Sequence, residues 1–158
     1  MSRPLKLPAL DPATMPAKHG TSYPTPYREA VEGRSWRALG DAVGLTQFGV
    51  NLVELAPGSW SSQRHWHTHE DELIYVLDGE LALITDEGEQ RMTAGSAAGF
   101  PAAKENGHHL VNRSDKPARF LAIGGRSPAD SCYYPDIDLI ERQDTSGYYY
   151  THKDGTRY

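Results

Sequence analysis

Disulfides are excluded first: cysteine occurs once in the 158 residues, at Cys132, so no internal cross-link can form and a reducing compartment is expected. Long apolar runs are missing as well. No stretch approaches the ~18 residues a membrane-spanning helix needs, and the N-terminus has no continuous apolar segment of the secretory type. A soluble, cytoplasmic protein is the expectation. Positive charge is scarce, with 16 Lys and Arg against 21 Asp and Glu, a net charge of −5 and a pI near 5.8. The basic residues are scattered, so there is no stripe to neutralise phosphates and nucleic acid is not an expected partner.

Glycine and proline are abundant, at 15 and 11 residues, which points to many turns between short strands. Residues 1–45 read as an N-terminal extension. Prolines at 4, 8, 12, 16, 24 and 26 forbid a long helix and favour an extended arm. Tyr23 and Tyr27 suit an arm docked on the rest of the protein. A weak helix, broken by Gly33, Gly40 and Gly44, is expected over 31–45. Residues 46–126 form the core, with strands expected at 47–55, 72–77, 80–85, 89–92, 108–112 and 118–123, and Asp78-Gly79 turning a hairpin. Such spacing indicates a sandwich or barrel. Residues 127–158, polar and rich in tyrosine, read as an irregular C-terminal extension within a single domain.

The chemistry concentrates between Arg64 and Gly79. Three histidines and three carboxylates lie within eight residues, and five of the seven histidines are here or at His108-His109. His65 and His67 are two apart, so on a strand both imidazoles share a face while Trp66 takes the other. Glu72 opens the following strand after a short polar turn, with Ile74 and Val76 continuing inward. Imidazole is the commonest ligand for several transition metals, and a carboxylate is a natural further donor. His69 is an alternative ligand on the turn, expected at the pocket rim. Of His108 and His109 only one can face the cavity on a regular strand, and Gly107 permits a bulge that leaves the choice open.

The segment Gly58-x6-His65-x-His67-x4-Glu72-x6-Gly79 resembles the first motif of the cupin superfamily, usually G-x5-H-x-H-x3,4-E-x6-G. Gly95-x5-Pro101 followed by His108-x3-Asn112 resembles the second, usually G-x5-P-x-G-x2-H-x3-N. Two departures stand out: one extra residue between Gly58 and His65, and Ala103 in place of glycine with a Pro-to-His interval two residues longer. The stretch from Gly107 to Ser114 also looks like a group of small bacterial single-domain cupins related to mannose-6-phosphate isomerase. The resemblance implies an all-β double-stranded β-helix, a jelly-roll cupin barrel. It implies His65, His67, Glu72 and His108 around one divalent transition metal ion, Fe, Mn, Ni or Zn, with open positions for a small-molecule ligand. It also implies a homodimer.

Two functions follow from such a site. One is a metalloenzyme acting on a sugar, sugar acid or carboxylate by isomerase, dioxygenase or lyase chemistry, with Gln63, Tyr75, Lys104 and Glu105 as candidates to assist. The other is a non-catalytic small-molecule or sugar-binding sensory module.

Overall fold

A computed structural model describes residues 4–158, so the first three residues of the proline-rich arm lie outside the described residues. Among the described residues thirteen strands form three antiparallel sheets: β1 (Lys18–His19), β2 (Arg34–Ala38), β3 (Phe48–Leu55), β4 (Trp66–His67), β5 (Glu72–Asp78), β6 (Glu80–Thr85), β7 (Gly88–Thr93), β8 (Ala97–Phe100), β9 (His109–Val111), β10 (Ala118–Gly125), β11 (Cys132–Tyr134), β12 (Leu139–Asp144) and β13 (Gly147–Thr151). The largest sheet runs β1-β2-β3-β10-β5-β8. It faces the three-stranded sheet β7-β6-β9, and the four-stranded sheet β13-β12-β11-β4 adjoins them. This is the jelly-roll barrel.

Alternation along the strands builds the core. In β5 the even positions Ile74 and Val76 are buried while Leu73, Tyr75 and Leu77 stay exposed. Phe120 of β10 pairs with Val53 on one side and Val76 on the other. These side chains meet Leu81, Leu83, Met92 and Leu110 from the opposing sheet. Burying a large aromatic or aliphatic side chain contributes on the order of 2 kcal/mol, so this cluster supplies much of the folding energy. Glu72 begins the same inward-facing row, which is why a carboxylate reaches the barrel interior.

The β5–β6 turn depends on glycine. Gly79 has φ +79°, and a Cβ there would lie 2.8 Å from the Ala118 Cβ. Asn112 is fully buried and latches the second motif. Its amide donates to the carbonyls of Leu55 (2.9 Å) and Lys116 (2.7 Å), and its Oδ1 accepts from the Ser114 N–H and hydroxyl.

Both extensions need correction. The helix expected over 31–45 is strand β2 followed by a single helical turn, α1 (Leu39–Ala42). The reason is an available edge: Arg34–Ala38 pairs residue by residue with Leu55–Asn51 of β3, and those ladder bonds outweigh a glycine-broken helical pattern. The C-terminal extension, expected to be irregular, forms β11, β12 and β13. Its tyrosines act as strand formers, and Gly147, at φ +116°, closes the hairpin after Asp144. Tyr23 is buried with Val31, Cys132, Tyr134 and Leu139 in a second apolar cluster that joins the arm to the tail.

Candidate metal centre

One short bridge of two backbone hydrogen bonds brings distant histidines together. The His65 N–H donates to the His108 carbonyl at 3.1 Å, and the His108 N–H returns the bond at 2.9 Å. Strand β4 then pairs with β11, setting His67 opposite Cys132 and stacking the Trp66 ring on Tyr133 at 4.9 Å. Arg64 clamps the segment from outside. Its Nε and Nη2 donate to the two oxygens of Asp136, each at 2.7 Å, and its Nη1 reaches Asp86 and the Gly107 carbonyl. Gly107 leaves room for that clamp, since a Cβ would sit 2.9 Å from Pro135 and 3.1 Å from the guanidinium.

Three imidazole nitrogens gather around one oxygen of Glu72. Glu72 Oε2 lies 2.7 Å from His108 Nε2, 3.3 Å from His65 Nε2 and 3.5 Å from His67 Nε2. Donors bound about 2.1 Å from one ion at near right angles are about 3 Å apart, so this spacing suits a shared metal. His65, Glu72 and His108 form a group that could hold one, with His67 alongside. The outer nitrogens support the same orientation. His65 Nδ1 donates to the Gln63 carbonyl at 2.9 Å, and His67 Nδ1 pairs with Asp130 Oδ2 at 2.7 Å. Holding Nδ1–H in this way leaves Nε2 for a metal. His108 Nδ1 is buried without a partner among the described residues, and its ring stacks on Phe100 at 3.5 Å.

Charge in the cluster is mutually supporting. Burial would raise the Glu72 carboxyl, but hydrogen bonds from His108 and His65 and the neighbouring imidazoles hold it well below its usual range. Burial likewise opposes charge on His67, yet the Asp130 hydrogen bond, with Glu72, Asp130 and Glu70 nearby, raises it from 6.5 to about 9. Burial lowers His108 despite Glu72.

Most of the remaining candidates fall elsewhere. His109 Nδ1 donates to the Ser62 carbonyl at 3.0 Å, and its ring meets Trp60 edge-on. His69 is exposed and bonded to Thr68. Gln63 donates to the Tyr27 carbonyl and Tyr75 points outward, whereas Lys104 borders a second cleft that His67, Glu72 and His108 also line, together with Trp66 and Glu70. Glu105 is exposed. Cys132 approaches His65 and His67 closely enough to count geometrically as a ligand. Burial, however, raises its thiol well above the usual range, and a protonated thiol is a poor donor.

Sequence reasoning missed Asp130, because a loop carboxylate some sixty residues from His67 obeys no strand periodicity. It also missed the inner cavity of about 300 Å³ behind the cluster. His65, His67, Glu72 and His108 line it together with Arg34 and Trp36 of β2, Tyr23 of the arm, and Tyr134 and Glu141 of the tail. Burial raises both tyrosine hydroxyls, so they stay protonated and offer neutral hydrogen bonds.

The cupin domain family matches residues 51–124. A sugar phosphate isomerase of the cupin superfamily from Silicibacter pomeroyi, known from its crystal structure, is 48% identical, with TM-score 0.92 over 96% of both chains. The polyketide cyclase RemF from Streptomyces resistomycificus, 22% identical, superposes with TM-score 0.62 over 74% of this chain and 78% of its own, a likeness of fold. Tetracenomycin polyketide synthase protein TcmJ from Streptomyces glaucescens is 32% identical over 92 residues, which is 57% of this chain. This chain spans about 60% of the length of that curated relative. Among the described residues no helix is long and apolar enough to cross a membrane.

Proposed function

This chain belongs to the cupin superfamily, and from that premise we propose that it is a metal-dependent enzyme that isomerises a small sugar or sugar phosphate. The observation that carries the proposal is the gathering of three imidazole Nε2 atoms within 3.5 Å of one Glu72 oxygen at the wall of a cavity. His65, His67, Glu72 and His108 would hold one divalent ion, and Fe, Mn, Ni and Zn all suit three nitrogens and a carboxylate. When bound, such an ion supplies Lewis acidity toward a carbonyl or hydroxyl oxygen of the substrate.

The protein's own groups supply the rest. Asp130 orients His67. Tyr23 and Tyr134 offer hydroxyls that stay neutral. Glu141 is a carboxylate on the cavity wall, able to hold or move a proton between neighbouring carbons. Val53, Ile74 and Phe120 form the apolar floor that limits water. Isomerase chemistry takes precedence over dioxygenase or lyase chemistry because the Silicibacter pomeroyi protein, called a sugar phosphate isomerase, matches nearly the whole chain at 48% identity.

A homodimer and a cytoplasmic setting belong to the same reading. Leu73, Tyr75 and Leu77 expose an apolar row on the outer face of the large sheet, the kind of surface a second copy covers. The test is elemental analysis of protein purified without chelator, followed by NMR assay of aldose and ketose phosphates with that metal. Stoichiometric metal that is lost in His65→Ala/His67→Ala, together with turnover lost in the same variant, is expected. Absence of metal from the wild type refutes the proposal. A ligand that stabilises the metal-loaded protein but is recovered unchanged would instead make this a binding module.

A further inference from the structure

Six arginines of this protein are held by acidic side chains. Arg64, Arg91, Arg113, Arg119, Arg126 and Arg157 all pair with carboxylates. Two of them show how the side chain grips a carboxylate here. Arg64 uses Nε and Nη2 on Asp136, and Arg113 uses the same two atoms on Glu89 at 3.1 and 2.9 Å. That fork matches the spacing of two oxygens on one carbon or phosphorus.

Arg34 is different. It lines the inner cavity, and no carboxylate among the described residues pairs with it. Its Nη1 donates to the Ser61 carbonyl at 2.8 Å, and its guanidinium lies 5.0 Å over the Trp36 ring. These two contacts fix the plane of the group. Its Nε is buried and has no hydrogen-bond partner among the described residues. Nη1 makes the one hydrogen bond of the guanidinium, so among the described residues the Nε–Nη2 edge, the one that Arg64 and Arg113 spend on carboxylates, has no protein acceptor. A buried guanidinium N–H without an acceptor is a cost that a native protein rarely carries without purpose.

The position ties this edge to the candidate metal centre. Ser61 holds Arg34, and the next residue, Ser62, places its hydroxyl 3.2 Å from His65 Nδ1. His65, His67, Glu72 and His108 border the same cavity as Arg34. We propose that Arg34 anchors an anionic group of the substrate, a carboxylate or a phosphate, through its unpaired Nε–Nη2 edge, so that the oxygenated carbons of the substrate face the histidine cluster. Glu141 borders the cavity without pairing to Arg34. Its negative charge disfavours a second anionic group, so the substrate class is a small metabolite with one anionic end and hydroxyl or carbonyl groups at the other. This rests on the barrel interior being the substrate cavity of the function proposed above.

The experiment is calorimetric titration of metal-loaded protein with inorganic phosphate and, separately, with acetate, in wild type, Arg34→Gln and Arg34→Lys. Wild type is expected to bind at least one of the two anions, and the one preferred distinguishes a phosphate end from a carboxylate end. Arg34→Gln should weaken that binding at least tenfold while metal content stays stoichiometric. Arg34→Lys keeps the charge without the fork, so a smaller loss is expected, and it serves if Arg34→Gln folds poorly. Unchanged affinity in Arg34→Gln, or no binding of either anion by wild type, overturns the anchor. Repeating the wild-type and Arg34→Gln titrations after chelation separates this from the metal reading. Binding that still depends on Arg34 in a protein that never retains metal keeps the anchor and removes the metal. Stoichiometric metal with anion binding indifferent to Arg34 does the reverse.

Discussion

Replacing Asp130 by asparagine separates two effects that its carboxylate has on His67. The His67 side chain is 14% exposed and that of Asp130 8%, so the 2.7 Å pair between them is little screened. The rise of His67 from 6.5 to about 9 corresponds to about 3 kcal/mol in favour of the imidazolium, with Glu72 and Glu70 sharing the effect. At pH 7, roughly two units below that value, only about 1% of the metal-free protein has a neutral His67, so the apparent metal affinity falls by a factor of about 100. Wild-type Kd should therefore drop about tenfold per pH unit between pH 7 and 9 and level off above. The asparagine side chain keeps the shape of the carboxylate but not its charge. In Asp130→Asn, His67 should then titrate closer to 6.5, and the pH dependence above 7 should largely flatten. Losing a carboxylate partner behind a ligating histidine costs about 10–100-fold in metal affinity, and that loss should appear undiluted at pH 9.5. At pH 7 the two effects oppose each other, and the variant should lie within about tenfold of wild type. Competition with a chromophoric chelator across this range measures both curves. Parallel curves for wild type and Asp130→Asn would refute the reasoning. The metal-free protein carries the matching stability signature: a raised histidine pKa stabilises fully below about 6.5, and that contribution is lost as pH rises toward 9.

Asn112→Ala removes the hydrogen bonds of a fully buried amide, including its donation to the Leu55 carbonyl, while the Ser114 hydroxyl can still reach the Lys116 carbonyl, so a loss of about 3 kcal/mol and a Tm lower by roughly 6–12 °C are expected in calorimetry. Ala103 has φ 62°, the left-handed region, at the position where the resembled motif has glycine. Relief of about 1–2 kcal/mol of strain against the chain entropy that glycine adds should give Ala103→Gly a Tm about 2 °C higher, and a lower Tm would contradict this. Cys132, buried and with its thiol raised well above the usual range, should not react with Ellman's reagent at pH 8 in native protein but should react fully in guanidinium.

Local periodicity made much of the core legible. His65 and His67 share a strand face with Trp66 opposite, and Ile74 and Val76 follow Glu72 inward, because a strand alternates its side chains whatever surrounds it. Turn glycines such as Gly79 announce themselves by a backbone geometry few other residues adopt. The choice between His108 and His109 needed more than parity, and the mutual bridge between His65 and His108 is what brings that ring to Glu72. Where local signals were weak, tertiary pairing prevailed. An open edge on β3 turned a broken helical pattern into β2, and β4 gave the tyrosine-rich tail a partner for β11.

The sequence by itself determined a strand-rich sandwich or barrel and put His65 and His67 on one strand face with Glu72 opening the next strand, since these follow from spacing along one or two consecutive strands. Only the tertiary structure decided what surrounds them. Asp130 behind His67, and Arg34, Tyr23, Tyr134 and Glu141 around the cavity, come from segments up to about a hundred residues apart. No periodicity links such segments, and their side chains meet only once the arm and the tail have packed together on the barrel.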